Sequence, residues 1–125
     1  MVRLPTEAEL EILGVVWERG PSSVRQVLHA LQAEREIGYT TVLKLMQIMD
    51  EKRLLECDKS VRPQIYRAAK SRSATQKQLV RNLLDRAFAG SPGNLILQAL
   101  STKKSTSEER QRIREFLDRL EEDSR

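Results

Sequence analysis

The chain has 125 residues, enough for one domain or for a small domain with an attached arm. Hydrophobic residues make up 39% and aromatics only 4%, so the core is thin and a partner subunit is expected to cover part of the apolar surface. A net charge of +4 is too small for histone-like binding by charge alone and points instead to a localised basic patch.

Thr6-Glu7-Ala8-Glu9 has the spacing of a capping box, which opens a first helix. Leu10, Leu13, Val16 and Trp17 form its apolar stripe, flanked by Ile12. Gly20-Pro21 stops it. Ser22 or Ser23 caps a second helix, with Val24, Val27, Leu28 and Leu31 on one face, and Glu34 to Gly38 is a polar connection. A third helix is predicted from about Thr40 to Arg53, with Val42, Leu45, Met46 and Met49 inward. Thr40, Lys44, Gln47 and Glu51 fall on its opposite face, and Leu43 lies at the edge of that face. Leu54 to Asp58 and Gln64 to Ala68 are two strands of a hairpin, with Cys57 a small half-buried filler and Tyr66 a core residue. Three helices followed by a hairpin is the order of a winged helix-turn-helix, and the fold class is mainly α with one small β-hairpin.

The remainder differs in character. A helix from Ser73 carries Leu79, Leu83 and Phe88, and Gly90 suits the position just past its end. Ser91-Pro92 opens a short apolar helix containing Leu95, Ile96 and Leu100. A capping box at Ser105 to Glu108, or a cap at Ser107, starts the last helix, which spaces Ile113, Phe116, Leu117 and Leu120 among balanced charges. Three short amphipathic helices pack poorly alone, and pairing with the same arm of a second subunit buries their stripes. The expected division is therefore residues 1–71 as a DNA-binding domain and residues 72–125 as a helical dimerisation domain.

Between Lys59 and Leu84 stand seven basic residues and no acid: Lys59, Arg62, Arg67, Lys70, Arg72, Lys77 and Arg81. A solvated face explains many charge runs, but this one adjoins a helix-turn-helix pattern, which favours phosphate binding. Within the third helix Thr40 and Thr41 can meet phosphate or base, Lys44 can reach guanine acceptors and Gln47 can pair with adenine. Lys59 and Arg62 in the hairpin loop are expected to straddle the backbone or probe a minor groove. With Leu43 and Arg67 these complete the candidate DNA-binding set.

Catalysis is hard to assemble from this sequence. His29 is the only histidine and fits an ordinary helix position; Cys57 is the only cysteine, so no disulfide forms within the chain. There is no Cys–His pair, metal-ligand cluster or glycine-rich phosphate loop, and the carboxylates interleave with Arg and Lys as solvated partners. The chain is not expected to be an enzyme or to need a cofactor or metal. The N-terminus lacks the apolar run of a signal peptide, and no segment approaches the roughly 18 apolar residues that cross a bilayer. A cytoplasmic protein without direct membrane association is expected.

Leu4-Pro5-Thr6-Glu7-Ala8-Glu9-Leu10-Glu11-Ile12-Leu13, Val16-Trp17, Tyr39-Thr40-Thr41-Val42 with Leu45-Met46, Ile65-Tyr66 and Phe88-Ala89-Gly90-Ser91 together resemble the penicillinase-repressor family. The resemblance covers about residues 4 to 122. It implies a homodimeric winged-helix transcriptional repressor whose N-terminal domains bind a pseudo-palindromic, double-stranded operator and whose C-terminal helices interlock. It also implies release by proteolysis in the C-terminal arm, triggered by a membrane sensor-protease, at a bond that aligns near Gln98-Ala99. This chain lacks the Asn-Phe pair that the best-known members carry there. No cysteine follows Cys57, which disfavours the copper-responsive branch, and Lys52-Arg53 replaces the family's frequent Lys-Gly after the third helix. The rival readings are a winged-helix adaptor that binds proteins without specific DNA binding, and a small hydrolase.

Overall fold

A computed structural model describes residues 4–125 of the protein. Met1, Val2 and Arg3, which belong to the expected first domain and to the N-terminus expected to lack a signal peptide, lie outside the described residues. The order of elements is α1 (Glu7–Arg19), α2 (Val24–Gln32), α3 (Tyr39–Glu51), β1 (Leu55–Asp58), β2 (Ile65–Ala68), α4 (Arg72–Ala87), α5 (Pro92–Thr102) and α6 (Ser107–Asp123). This is the mainly helical, winged-helix-like architecture that the patterning predicts. The chain forms two compact units, one ending at Arg81 and the other covering Asn82–Arg125.

In the first unit, local chemistry sets the helix limits. Thr6 caps α1, accepting from the Glu9 amide at 3.2 Å, while Glu9 accepts from the Thr6 amide at 2.9 Å. Gly20 ends α1 with φ +90°, a conformation that favours glycine. Of the two serines, Ser23 is the cap of α2, in a second reciprocal box with Gln26. Ser22 instead serves the hairpin. Its backbone exchanges two hydrogen bonds with Tyr66, of 2.9 and 2.8 Å, and so forms a one-residue bridge to the second strand.

The core joins Ile12, Leu13 and Val16 of α1, Val24, Val27, Leu28 and Leu31 of α2, Val42, Met46 and Met49 of α3, and Leu55 and Tyr66 of the hairpin. Ile12, expected at the flank of the α1 stripe, is completely buried, whereas Leu10 and Trp17 are half-buried at its margin. The stripe is rotated toward Glu9, because that carboxylate is itself buried against Lys52 at 2.9 Å. Glu9 is therefore an exception to the reading of the carboxylates as solvated partners. Leu45 is likewise half-buried at the edge of the α3 stripe.

The strands pair antiparallel in the register Leu55↔Ala68, Glu56↔Arg67, Cys57↔Tyr66, Asp58↔Ile65. Leu55 and Tyr66 face the core, and Cys57 is half-buried beside them with its thiol 3.7 Å from the Gln64 amide oxygen. The first turns of α4 belong to this unit. Thr75 is buried, the Trp17 indole donates to the Lys70 carbonyl at 3.0 Å, and Arg72 lies 3.4 Å from Glu18. Those interactions carry the compact unit past the composition change at residue 71, as far as Arg81.

In the second unit the end of α4 winds through two left-handed residues, Ala89 (φ +47°) and Gly90 (φ +76°). Ser91 caps α5, with Pro92 at its first turn. The cap of α6 is Thr106, not Ser105 or Ser107. Its hydroxyl accepts from Glu109, whose carboxylate accepts in return, and this reciprocal pair selects one site among three consecutive hydroxyl residues. Neither α5 nor α6 has a fully buried residue.

Candidate nucleic-acid interface

The inward stripe of α3 decides what its other side presents. With Val42, Met46 and Met49 buried, Thr40, Thr41, Lys44, Gln47 and Glu51 are exposed, and Leu43 is half-buried at the boundary. Gly38 precedes the helix and offers no side chain to its first amides, and no acid occupies the first turn. The N-terminal end of α3 is thus open to an anion or to hydrogen-bond acceptors. At the other end, Lys52 holds Glu9 of α1. Burial alone raises the Glu9 pKa, but the Thr6 amide and Lys52 outweigh it and keep the carboxyl below its ordinary range. The helix is therefore anchored at its rear and bare at its front.

The hairpin loop supplies the second element. Lys59, Val61 and Arg62 are all exposed. The Arg62 guanidinium donates to the carbonyls of Lys59 at 2.9 Å and Val61 at 3.1 Å, which closes the loop on itself. Asp58 accepts from the Ser60 hydroxyl and the Ser60 amide, which hold its pKa low, with Arg67 nearby adding to the effect. Arg67 is exposed on the outer hairpin face, opposite Glu56, so an acid partly offsets its charge. Lys59 is the loop cation with no partner among the described ion pairs and side-chain hydrogen bonds.

The basic run does not form a single face. Arg72 turns toward α1, where it lies 5.7 Å from the Trp17 ring centroid and pairs with Glu18. Two residues absent from the expected set lie beside the front of α3. Arg25, in the first turn of α2, places its guanidinium 4.9 Å from the ring centroid of Tyr39, the first residue of α3. The signal for the pair in the sequence was a lone arginine between Val24 and Val27, which the apolar periodicity marks only as an outward position.

In the second unit an open apolar groove of about 560 Å³ lies between α5 and α6. Ile96, Leu100, Ile113, Phe116, Leu117 and Leu120 line it, which brings together six of the ten residues expected at a subunit contact. Leu95 is half-buried outside that lining, Leu83 is on α4, Phe88 directly follows its end, and Leu79 belongs to the first unit. Leu97, in the same apolar helix but not among the residues expected at the contact, is the most exposed large apolar side chain among the described residues, at 65%. Gln98 and Ala99 are exposed in the middle of α5, where the Gln98 carbonyl accepts from the Thr102 hydroxyl at 2.6 Å.

Among the described residues no group of three or more His, Cys, Asp or Glu side chains is placed to hold a metal, and no helix is long and apolar enough to cross a membrane. A family model described as the penicillinase repressor matches residues 5–119 of the chain. No curated protein matches it.

Proposed function

We propose, from the fact that this chain belongs to the penicillinase-repressor family of transcriptional regulators, that it represses a promoter by binding double-stranded DNA as a homodimer in the cytoplasm. The observation that carries the proposal is the polar outer face of α3, with Thr40, Thr41, Lys44 and Gln47 exposed beside a bare helix start. A helix of this kind enters a major groove by its first turns, where Lys and Gln meet base edges and Thr meets phosphate or a thymine methyl. Leu43 is the apolar neighbour of that face, while Lys59, Arg62 and Arg67 of the wing contact the backbone. Residues 1–71 carry this activity and residues 72–125 join the subunits.

The apolar groove of α5 and α6 supports the second half of the proposal, since Ile96, Leu100, Phe116, Leu117 and Leu120 of its lining are exposed in one copy of the chain. A second arm covers it, and Leu79, Leu83, Phe88 and Leu95 extend the contact. Joining two heads gives each operator half-site a high effective concentration of its partner, so loss of the arm weakens DNA binding without touching a DNA contact. Release follows loosening or proteolysis of the arm, near Gln98-Ala99, by a membrane sensor-protease. Both residues are helical, and a protease accepts extended backbone, so α5 unwinds locally before such a cut.

A gel-shift titration against the DNA upstream of the chain's own gene, at two salt concentrations, tests the proposal. Binding is expected to weaken steeply with salt, and Lys44→Ala with Gln47→Ala is expected to abolish preference among duplexes. Binding to no duplex, or indifference to salt, would indicate a protein-binding adaptor instead.

A further inference from the structure

The cations of the N-terminal unit differ in what already occupies them. Arg35 lies 3.3 Å from Glu11, Lys52 is 2.9 Å from Glu9, and Arg72 is 3.4 Å from Glu18. Arg62 commits one guanidinium nitrogen, Nη1, to two loop carbonyls. Arg25 is held differently. It makes no ion pair among the described residues, yet its guanidinium is fixed 4.9 Å from the Tyr39 ring centroid. A salt bridge orients an arginine and neutralises it; an aromatic face orients it and leaves both its charge and its forked donors available. No acid lies in the first turn of α2 or of α3 to compete for them.

We propose that Arg25 grips a phosphate of the bound duplex and that Tyr39 is a positioning residue that presents its guanidinium. The ring sits on the first residue of α3, immediately before the Thr40-Thr41 pair, so the arginine is tied to the end of the helix that enters the groove. Its contact is with the backbone flanking the site read by Lys44 and Gln47, and the planar fork suits two phosphate oxygens. This contact sets register and adds affinity without reading sequence. The inference rests on the DNA-binding reading above.

The test compares wild type with Arg25→Ala, Tyr39→Leu and Tyr39→Phe, on the upstream promoter duplex and on a scrambled duplex of equal length, across a salt series. Arg25→Ala is expected to weaken both duplexes by the same factor and to lower the slope of log affinity against log salt by about 0.9 for each phosphate it no longer neutralises. Tyr39→Leu keeps the cation, so it is expected to weaken binding while leaving the slope nearly intact, and Tyr39→Phe is expected to restore wild-type affinity through its ring. Thermal unfolding of each variant separates these effects from loss of fold, because both side chains are exposed. Unchanged affinity and slope for Arg25→Ala would overturn the phosphate contact. A loss confined to one duplex would instead make Arg25 a base reader. Unaltered binding by Tyr39→Leu would overturn the positioning role. Should wild type itself bind neither duplex, the DNA-binding reading fails and this inference falls with it.

Discussion

Arg53, two residues past the end of α3, has φ +64°, in the left-handed region where a β-carbon crowds the following carbonyl. Its amide donates to the Asp50 carbonyl at 3.1 Å and that of Leu54 to Met49 at 2.8 Å, so the turn is closed despite the side chain. Arg53→Gly relieves the crowding but loosens the unfolded chain, and a net gain of about 0.5–1 kcal/mol is expected, visible as a higher midpoint in urea. A lower midpoint would reveal a compensating contact of the arginine. One residue earlier, Lys52 supports a carboxylate that is only 2% exposed. Because the folded pKa of Glu9 lies below its ordinary value of 4.5, the pair stabilises fully above that pH, and its contribution fades as pH falls through the folded pKa. Lys52→Met is expected to cost about 1–3 kcal/mol near neutrality and to flatten the acid limb of the stability curve. An acid limb as steep as in wild type would show that the Thr6 amide alone depresses Glu9.

At the scale of elements, the wing is held by more than its own pairing. Two strands of four residues are marginal in isolation. Ser22 gives them a third neighbour through its two backbone bonds to Tyr66, which fixes the hairpin to the turn between α1 and α2. Ser22→Pro removes the donor facing the Tyr66 carbonyl and is expected to cost about 1–3 kcal/mol, with faster hydrogen exchange of the hairpin amides. Exchange confined to α2 would place the damage elsewhere. Tyr66 itself is deeply packed: burial, aided by Cys57, pushes its pKa up to about 12. The helical elements of the arm contrast with this. Their caps are complete, with Ser91 and Thr106 both bonded to the amide three residues on, yet their apolar faces remain open.

For the whole molecule, that contrast is what the proposed dimer requires: a head that folds on its own core and an arm that a second copy would complete. Phe116, 54% exposed in the groove, is the natural probe. Phe116→Asp places a charge where a second arm would cover it, and is expected to yield a monomer by sedimentation at micromolar concentration. The same variant is expected to bind promoter DNA far more weakly, with the unfolding of the N-terminal unit unchanged. A dimer that survives the substitution would move the subunit contact away from this groove.

The sequence by itself determined the element order, the inward stripes of α2 and α3 and the exposed polar face of α3, because helical periodicity and capping chemistry are local and need no knowledge of what packs where. It also carried the family, through short motifs at fixed spacing. Only the tertiary structure decided which of two serines caps α2 and which bridges the hairpin, that Glu9 is buried on Lys52, that Ile12 lies at the centre of the core, and that Arg25 meets Tyr39. Those outcomes depend on residues distant in the chain, and a charged or hydroxyl side chain has the same local signature whether it faces water or a partner from another element.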